Sequence, residues 1–168
     1  TGAVISAVDL VRGLGRAAGM EVIEVPGATG LMDTNYQGKV DAALKFLEHG
    51  DFAFVHLEGP DECGQGGNAA DKIEAISRFD ARIVGPLKQA LAGQNVAYLI
   101  TCDHFTPIAE RTHTPDPVPF LLNYTACSGL DCEGSGVPGF NEREARGTGL
   151  VIETGHELLP WTLHQLTK

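Results

Sequence analysis

Two apolar runs of strand length, each emptying into a polar loop, constrain this chain more than any other feature. They are Phe52-Ala53-Phe54-Val55-His56-Leu57 and Val96-Ala97-Tyr98-Leu99-Ile100. Nearly unbroken apolar runs of this length read as strands covered on both faces, the pattern of a parallel sheet. Helical patterns supply the cover. Gly38 to His49 carries Val40, Ala43, Leu44 and Leu47 on one face and is ended by Gly50. Asn68 is placed as an N-cap for a long helix with Ile73, Ile76, Phe79, Ile83, Leu87 and Leu91 as its stripe, and Gly85-Pro86 should kink or divide it. Val4 to Ala18 has a partly helical spacing through Val8, Leu10, Val11 and Leu14, with Gly19 as its C-cap. Glu21 to Val25 alternates as a strand stopped by Pro26-Gly27, and Val118 to Tyr124 reads as another strand with a start made irregular by Pro117 and Pro119. Gly134 to Gly139 reads as a connector, and Leu158 to Leu166 as a closing helix anchored by Trp161. The alternation predicts a single α/β domain over residues 1–168, a mostly parallel sheet with helices on both faces.

Charge narrows the function. The net charge is −10 and no Lys/Arg cluster exists, which argues against nucleic-acid and anionic-membrane partners. No apolar run reaches the roughly 18 residues of a membrane span, so a cytoplasmic protein is expected. Thr1 rather than Met opens the chain, so further residues are expected upstream. Cys63, Cys102, Cys127 and Cys132 form no Cys-x-x-Cys pair, and reduced thiols are expected, with a Cys127–Cys132 bridge as the lesser alternative.

The chemistry sits in the loops after the two runs. Behind the first lies Glu58-Gly59-Pro60-Asp61-Glu62-Cys63-Gly64-Gln65-Gly66-Gly67-Asn68, read as an acidic, Gly-rich loop where α/β sheets hold their ligands. Behind the second lie Asp103, His104 and, nine residues on, His113. Carboxylate with imidazole is the ligand mix that suits Zn or Mn, and carboxylate also suits Mg. The alternative is that Asp103 caps a turn while His104 and His113 are ordinary polar residues. Ligands from two loops at one sheet edge favour the metal site. Arg111, with a fork suited to phosphate, is a candidate anion contact, and Lys39 could reach a substrate phosphate or carboxylate. Each is equally readable as structural. His56, inside an apolar run, reads as a satisfied core histidine.

These residues carry a family resemblance. Val4-Ile5-Ser6-Ala7-Val8-Asp9-Leu10, Val25-Pro26-Gly27-Ala28-Thr29-Gly30, Asp33-Thr34-Asn35-Tyr36 with Gly38-Lys39, His56-Leu57-Glu58 with Pro60-Asp61-Glu62, Asp103-His104 with Thr106-Pro107, and Arg111-Thr112-His113-Thr114 with Pro117-Val118-Pro119-Phe120 are similar to the archaeal-type cofactor-independent phosphoglycerate mutases of the alkaline phosphatase superfamily. The resemblance implies an isomerase that moves phosphate between the 2- and 3-hydroxyls of glycerate through a phosphoserine, with two divalent ions, Mn2+ or Mg2+ or else Zn2+. It places Asp61 and His113 on one ion and Asp103 and His104 on the other. It also implies that the ions clamp the phosphoryl group and activate the Ser hydroxyl.

Two departures follow. The family has His where this chain has Gln65, a weaker ligand, so that site should be impaired. The family's N-terminal half, with its Ser nucleophile and a further Asp ligand, has no match here, and Ser6, Ser77, Ser128 and Ser135 stand in the wrong contexts. The chain is therefore expected to be the C-terminal part of the metal-binding phosphatase-like core, inactive alone, and to form homo-oligomers through the face that the missing half would cover. The alternatives are another phosphotransferase or phosphatase of that superfamily, or a non-catalytic remnant with an impaired metal site.

Overall fold

Ala3, Val4 and Ile5 are all buried because Gly2–Ile5 forms a strand, β1, at the centre of a three-stranded parallel sheet. The structure is a computed structural model and describes residues 1–125 and 139–167. Sequence patterning merged β1 into the helix that follows it. Four apolar residues are too few to show a strand period beside a strong helical one. The break comes at Ser6, whose Oγ accepts from Val8 N at 3.0 Å and turns the chain into α1, Asp9–Ala17. Gly15 of α1 lies against β1, and a Cβ there would stand 2.6 Å from Val4 Cγ2. Gly19, with φ 73°, ends the helix as expected.

The next strand, β2, is only Glu21–Val22, and β3 is Phe52–Val55. Both pair with β1 in parallel, Ala3 opposite Glu21 and Gly2 to Ile5 opposite Phe52 to Val55, giving the order β2-β1-β3. β3 is thus an edge strand in this sheet, with Phe52 and Phe54 partly exposed. Helix α2, Tyr36–Leu47, is capped by Asn35 Oδ1, which accepts from Gly38 N at 2.9 Å. Its Tyr36 and Val40 meet Ile83 in the core, with Leu44, Val55, Leu57, Phe79 and Leu87 packed around them.

Asn68 caps α4, Ala69–Phe79, by accepting from Ala70 N and Asp71 N. The division at Gly85-Pro86 takes a specific form. A π-helical turn, Asp80–Val84, precedes α5, Gly85–Ala90, whose first turn holds Pro86. Proline donates no N–H and crowds the carbonyl four residues back, and a widened turn relieves both. The expected stripe is buried only at its C-terminal end: Ile83 is buried while Ile73 and Ile76 are more than half exposed.

Contacts divide the chain into two compact units, Thr1–Ala92 with Thr106–His113, and Gly93–Phe105 with Thr114–Lys168. The elements above, with the helix α3, Gly59–Gly66, belong to the first. In the second, β4 (Ala97–Thr101) pairs antiparallel with β5 (Phe120–Tyr124), Ala97 opposite Tyr124 and Thr101 opposite Phe120. α6 spans Glu142–Gly147 and α7 spans Leu158–Leu166. Trp161 of α7 meets Phe120 edge to face at 5.6 Å, the anchoring role expected of it. The fold is mixed α/β, but β3 and β4 lie in different sheets, which corrects the expectation that their two loops leave one sheet edge. Cys127, Cys132, Ser128, Ser135 and the connector up to Pro138 lie outside the described residues; Cys63 is a free thiol.

Candidate metal centre

Gly59–Gly66, read from the sequence as a loop, is a helix, α3. The signals were present but masked by its glycines: Pro60 in the first turn, Asp61 and Glu62 beside the positive end of the helix dipole, and Gly67 at φ 72° closing it. The helix changes what the sequence means. Asp61 and Gln65, four apart, now share one face, and Gln65 Nε2 donates to Asp61 Oδ2 at 2.7 Å.

The segment 106–113 brings the third member. Thr106, almost fully buried, donates its hydroxyl to Asp61 Oδ1, and its carbonyl accepts from Lys72 Nζ of α4 at 2.5 Å. The segment fits because α3 presents glycine to it twice. A Cβ on Gly64 would lie 2.5 Å from the Thr106 carbonyl oxygen, and one on Gly67 would lie 2.4 Å from Arg111 Nε. Arg111 N donates to the Pro107 carbonyl at 2.9 Å to close the turn, and Arg111 itself takes φ 53°, a left-handed conformation uncommon outside glycine. This turn delivers His113 Nε2 to 3.4 Å from Asp61 Oδ1 and 3.4 Å from Gln65 Nε2. Asp61 is largely covered and His113 half exposed, so the pair opens to solvent.

The pair suits a divalent ion. A carboxylate oxygen and an imidazole nitrogen 3.4 Å apart match two neighbouring ligands bound at about 2.1 Å each. Glu58, Asp61 and Glu62 also offer carboxylate oxygens within 4.8 Å of one another. Gln65 is the misfit, since it turns a donor toward the very carboxylate an ion would use. Asp103 and His104 lie in the second unit, with His104 Nε2 3.4 Å from Asp103 Oδ2.

The remaining candidates fare differently. Lys39 is 1% exposed, and its ammonium donates to the His56 carbonyl at 2.8 Å, so it serves the interior rather than a substrate-facing surface. Burial pushes its pKa below the ordinary value, and nearby Glu58 partly restores it. Arg111 lies over Gly67 at the exposed end of α3. His56 is half-buried rather than a core residue, sharing a hydrogen bond between Nδ1 and Ser6 Oγ at 3.1 Å and stacking beside the partly exposed Phe54. Sequence reasoning missed Thr106 and Lys72. Their bonds to Asp61 and to the backbone join residues 45 and 34 positions apart, and no local pattern announces them.

Residues 1–153 match the model of the metalloenzyme superfamily. The chain is 53% identical over 167 residues to a Geobacter sulfurreducens protein named "Probable 2,3-bisphosphoglycerate-independent phosphoglycerate mutase", covering 97% of this chain and 40% of that protein. It is 45% identical over 161 residues to a protein named 2,3-bisphosphoglycerate-independent phosphoglycerate mutase from Methanosarcina acetivorans, covering 95% and 40%. Among solved structures, the PH0037 protein from Pyrococcus horikoshii aligns with a TM-score of 0.84 at 34% identity, over 98% of this chain and 48% of that one. The chain therefore spans about two fifths of the length of the curated relatives it matches. Because the family match runs through every element that builds the Asp61 centre, from β1 to the turn carrying His113, the chain belongs to the metalloenzyme superfamily.

Proposed function

We propose that this chain is the C-terminal, metal-ligating part of a 2,3-bisphosphoglycerate-independent phosphoglycerate mutase. Such an enzyme interconverts 3- and 2-phosphoglycerate through a phosphoserine, and on this reading the Ser lies outside residues 1–168. The observation that carries the reading is the Asp61–His113 pair, carboxylate and imidazole at 3.4 Å, in a chain matched almost end to end by relatives of that name. Asp61 and His113 hold one divalent ion, and Asp103 and His104 hold the second, with Mn2+ or Mg2+ as the ions and Zn2+ chemically admissible. Such ions supply charge neutralisation on the phosphoryl oxygens during transfer.

The chain's own residues prepare for this. Thr106 donates to one oxygen of Asp61 and so orients the carboxylate, while Lys72, bonded to the Thr106 carbonyl, holds the segment on α3. Arg111, at the end of that turn, offers its guanidinium to the anionic substrate. The cytoplasm suits a glycolytic enzyme, and no helix among the described residues is long and apolar enough to cross a membrane. Exposed Leu10, Leu14, Phe52 and Phe54 suit burial against the residues the relatives carry beyond this match, or against a second copy when those are absent.

One observation favours a second reading, a non-catalytic remnant: the Gln65 amide already occupies Asp61 Oδ2. Grafting this chain into the Geobacter relative in place of its matched residues separates the two. Turnover of 3-phosphoglycerate by the graft, abolished by Asp61→Asn, is the expected result. An inert graft that Gln65→His does not revive overturns the mutase reading. Turnover by the 168-residue chain alone with Mn2+ would overturn the claim that the nucleophile lies elsewhere.

A further inference from the structure

Building on the reading of this chain as part of a longer enzyme, we infer that the outer edge of β3 is the seat of one further parallel strand. That strand and its helix come from the residues the relatives carry beyond the match. The two edges of the sheet are built differently. β2 ends it as a solvent-facing edge does, with two residues, one of them Glu21. β3 has four, Phe52-Ala53-Phe54-Val55, with no charge and no proline to discourage a partner. Phe52 N donates to the Thr1 carbonyl at 3.2 Å and His56 N to the Ile5 carbonyl at 3.0 Å, so the even-numbered residues bond toward β1. Backbone groups of alternate residues in a parallel strand point to opposite edges. Ala53 and Val55 therefore turn their N–H and C=O groups to the open edge, where no strand among the described residues meets them.

The side chains agree with the backbone. Val4 and Phe54 are partners in register and share a face, which α1 covers at Val4 through Gly15. α1 lies over β1 and β2 and leaves Phe52 and Phe54 more than a third exposed. Arg12 of α1 pairs with Glu24, just past β2. Leu10 and Leu14 each stand two residues from Arg12, about 200° around the helix, which turns them toward the β3 side. Both are more than half exposed. The four side chains make an apolar trough with β3 as floor and α1 as one wall. Val55, on the opposite face, is already packed against the core of α2. Parallel strands are covered on both faces, and a right-handed crossover brings a helix with each added strand. One strand–helix unit thus satisfies both the open edge and the open trough. The relatives hold about three fifths of their length outside the match, and the unit is drawn from there. A strand parallel to β3 ends level with the start of α3, so its exit loop opens beside Asp61. This is the route by which a nucleophile outside residues 1–168 reaches the ion held there.

The test is site-resolved hydrogen exchange on the 168-residue chain and on its graft into the Geobacter relative. In the chain alone, the amides of Phe52, Phe54 and His56 should exchange slowly, and those of Ala53 and Val55 nearly as fast as in an open peptide. In the graft, Ala53 and Val55 should slow by about a hundredfold or more. Ala53→Pro removes an outward N–H, which an edge strand tolerates, so the chain alone should stay folded while the graft loses protection at Val55. The comparison of the two unsubstituted proteins stands even if this variant misfolds. Ala53 and Val55 amides that stay fast in a folded graft overturn the seat, and turnover of 3-phosphoglycerate by that same graft would leave the mutase reading standing. Slowed amides in an inert graft support the seat and count against the mutase reading alone. Protection of Ala53 and Val55 already present in the chain alone overturns the inference, and its rise with concentration identifies a second copy as the occupant.

Discussion

Lys39→Met removes one ammonium from the interior and leaves a side chain of similar length and shape. Two effects oppose each other. The charged hydrogen bond to the His56 carbonyl at 2.8 Å is lost, and that carbonyl, part-buried between β3 and α3, loses a strong donor. Hydrogen bonds to charged groups contribute about 1.5–3 kcal/mol. Against this stands the relief of desolvating an ammonium that is 1% exposed, the same burial that depresses its pKa. Because only one partner is removed, the loss outweighs the relief, and a net destabilisation of about 1–2 kcal/mol is expected at neutral pH.

The pH dependence gives the sharper criterion. Lys39 has a folded pKa below its ordinary 10.5, so the unfolded chain binds this proton more tightly. Wild-type stability therefore gains from Lys39 as pH rises from the depressed folded value toward 10.5, and the Met variant has no such gain. The stability gap between the two should widen across that window. Urea unfolding at several pH values measures it, with far-ultraviolet circular dichroism dominated by the helices of the first unit. Trp161 fluorescence, which reports the second unit, serves as the internal control. A gap that stays flat or narrows toward alkaline pH would refute the reasoning, as would a Met variant more stable than wild type at neutral pH.

Two smaller perturbations test the framework around the centre. Asn68→Ala removes the side-chain oxygen that accepts from Ala70 N and Asp71 N, and should cost about 1 kcal/mol in the same urea titration with no change in the helical content of α2. Gly15→Ala sets a helix-propensity gain of about 1 kcal/mol against a Cβ 2.6 Å from Val4 Cγ2. Overpacking against a buried, β-branched neighbour costs about 1–3 kcal/mol, so the variant should be less stable, and a stabilised one would show that α1 and β1 separate easily.

The local features of this chain were legible from its residues. Apolar runs located β3 and β4, Asn68 marked the start of α4, Gly19 the end of α1, and Gly85-Pro86 the interruption that the structure resolves as a π-helical turn. These depend on contacts within a few residues, where steric preference and hydrogen-bond capping act without help from the rest of the fold. Asp61 and His113 were singled out as candidate ligands from motif chemistry alone, and the structure places them 3.4 Å apart.

What patterning alone could not supply was which residues meet. β1 lay hidden because its burial comes from β2 and β3 on either side, partners 18 and 50 residues away in register. α3 lay hidden because its glycines argue against helix locally, and only the packing of segment 106–113 shows why Gly64 must lack a side chain. The sequence by itself determined that this chain is α/β, acidic, and equipped with carboxylate and imidazole behind two strands. Tertiary structure alone decided that Gln65 sits beside Asp61 on one helical face, that Thr106 orients that carboxylate, and that Lys39 is spent inside the fold. The physical reason is range: propensity and capping act over a turn of chain, whereas the hydrogen bonds that tie segment 106–113 to α3 and α4 join groups 34 to 48 residues apart.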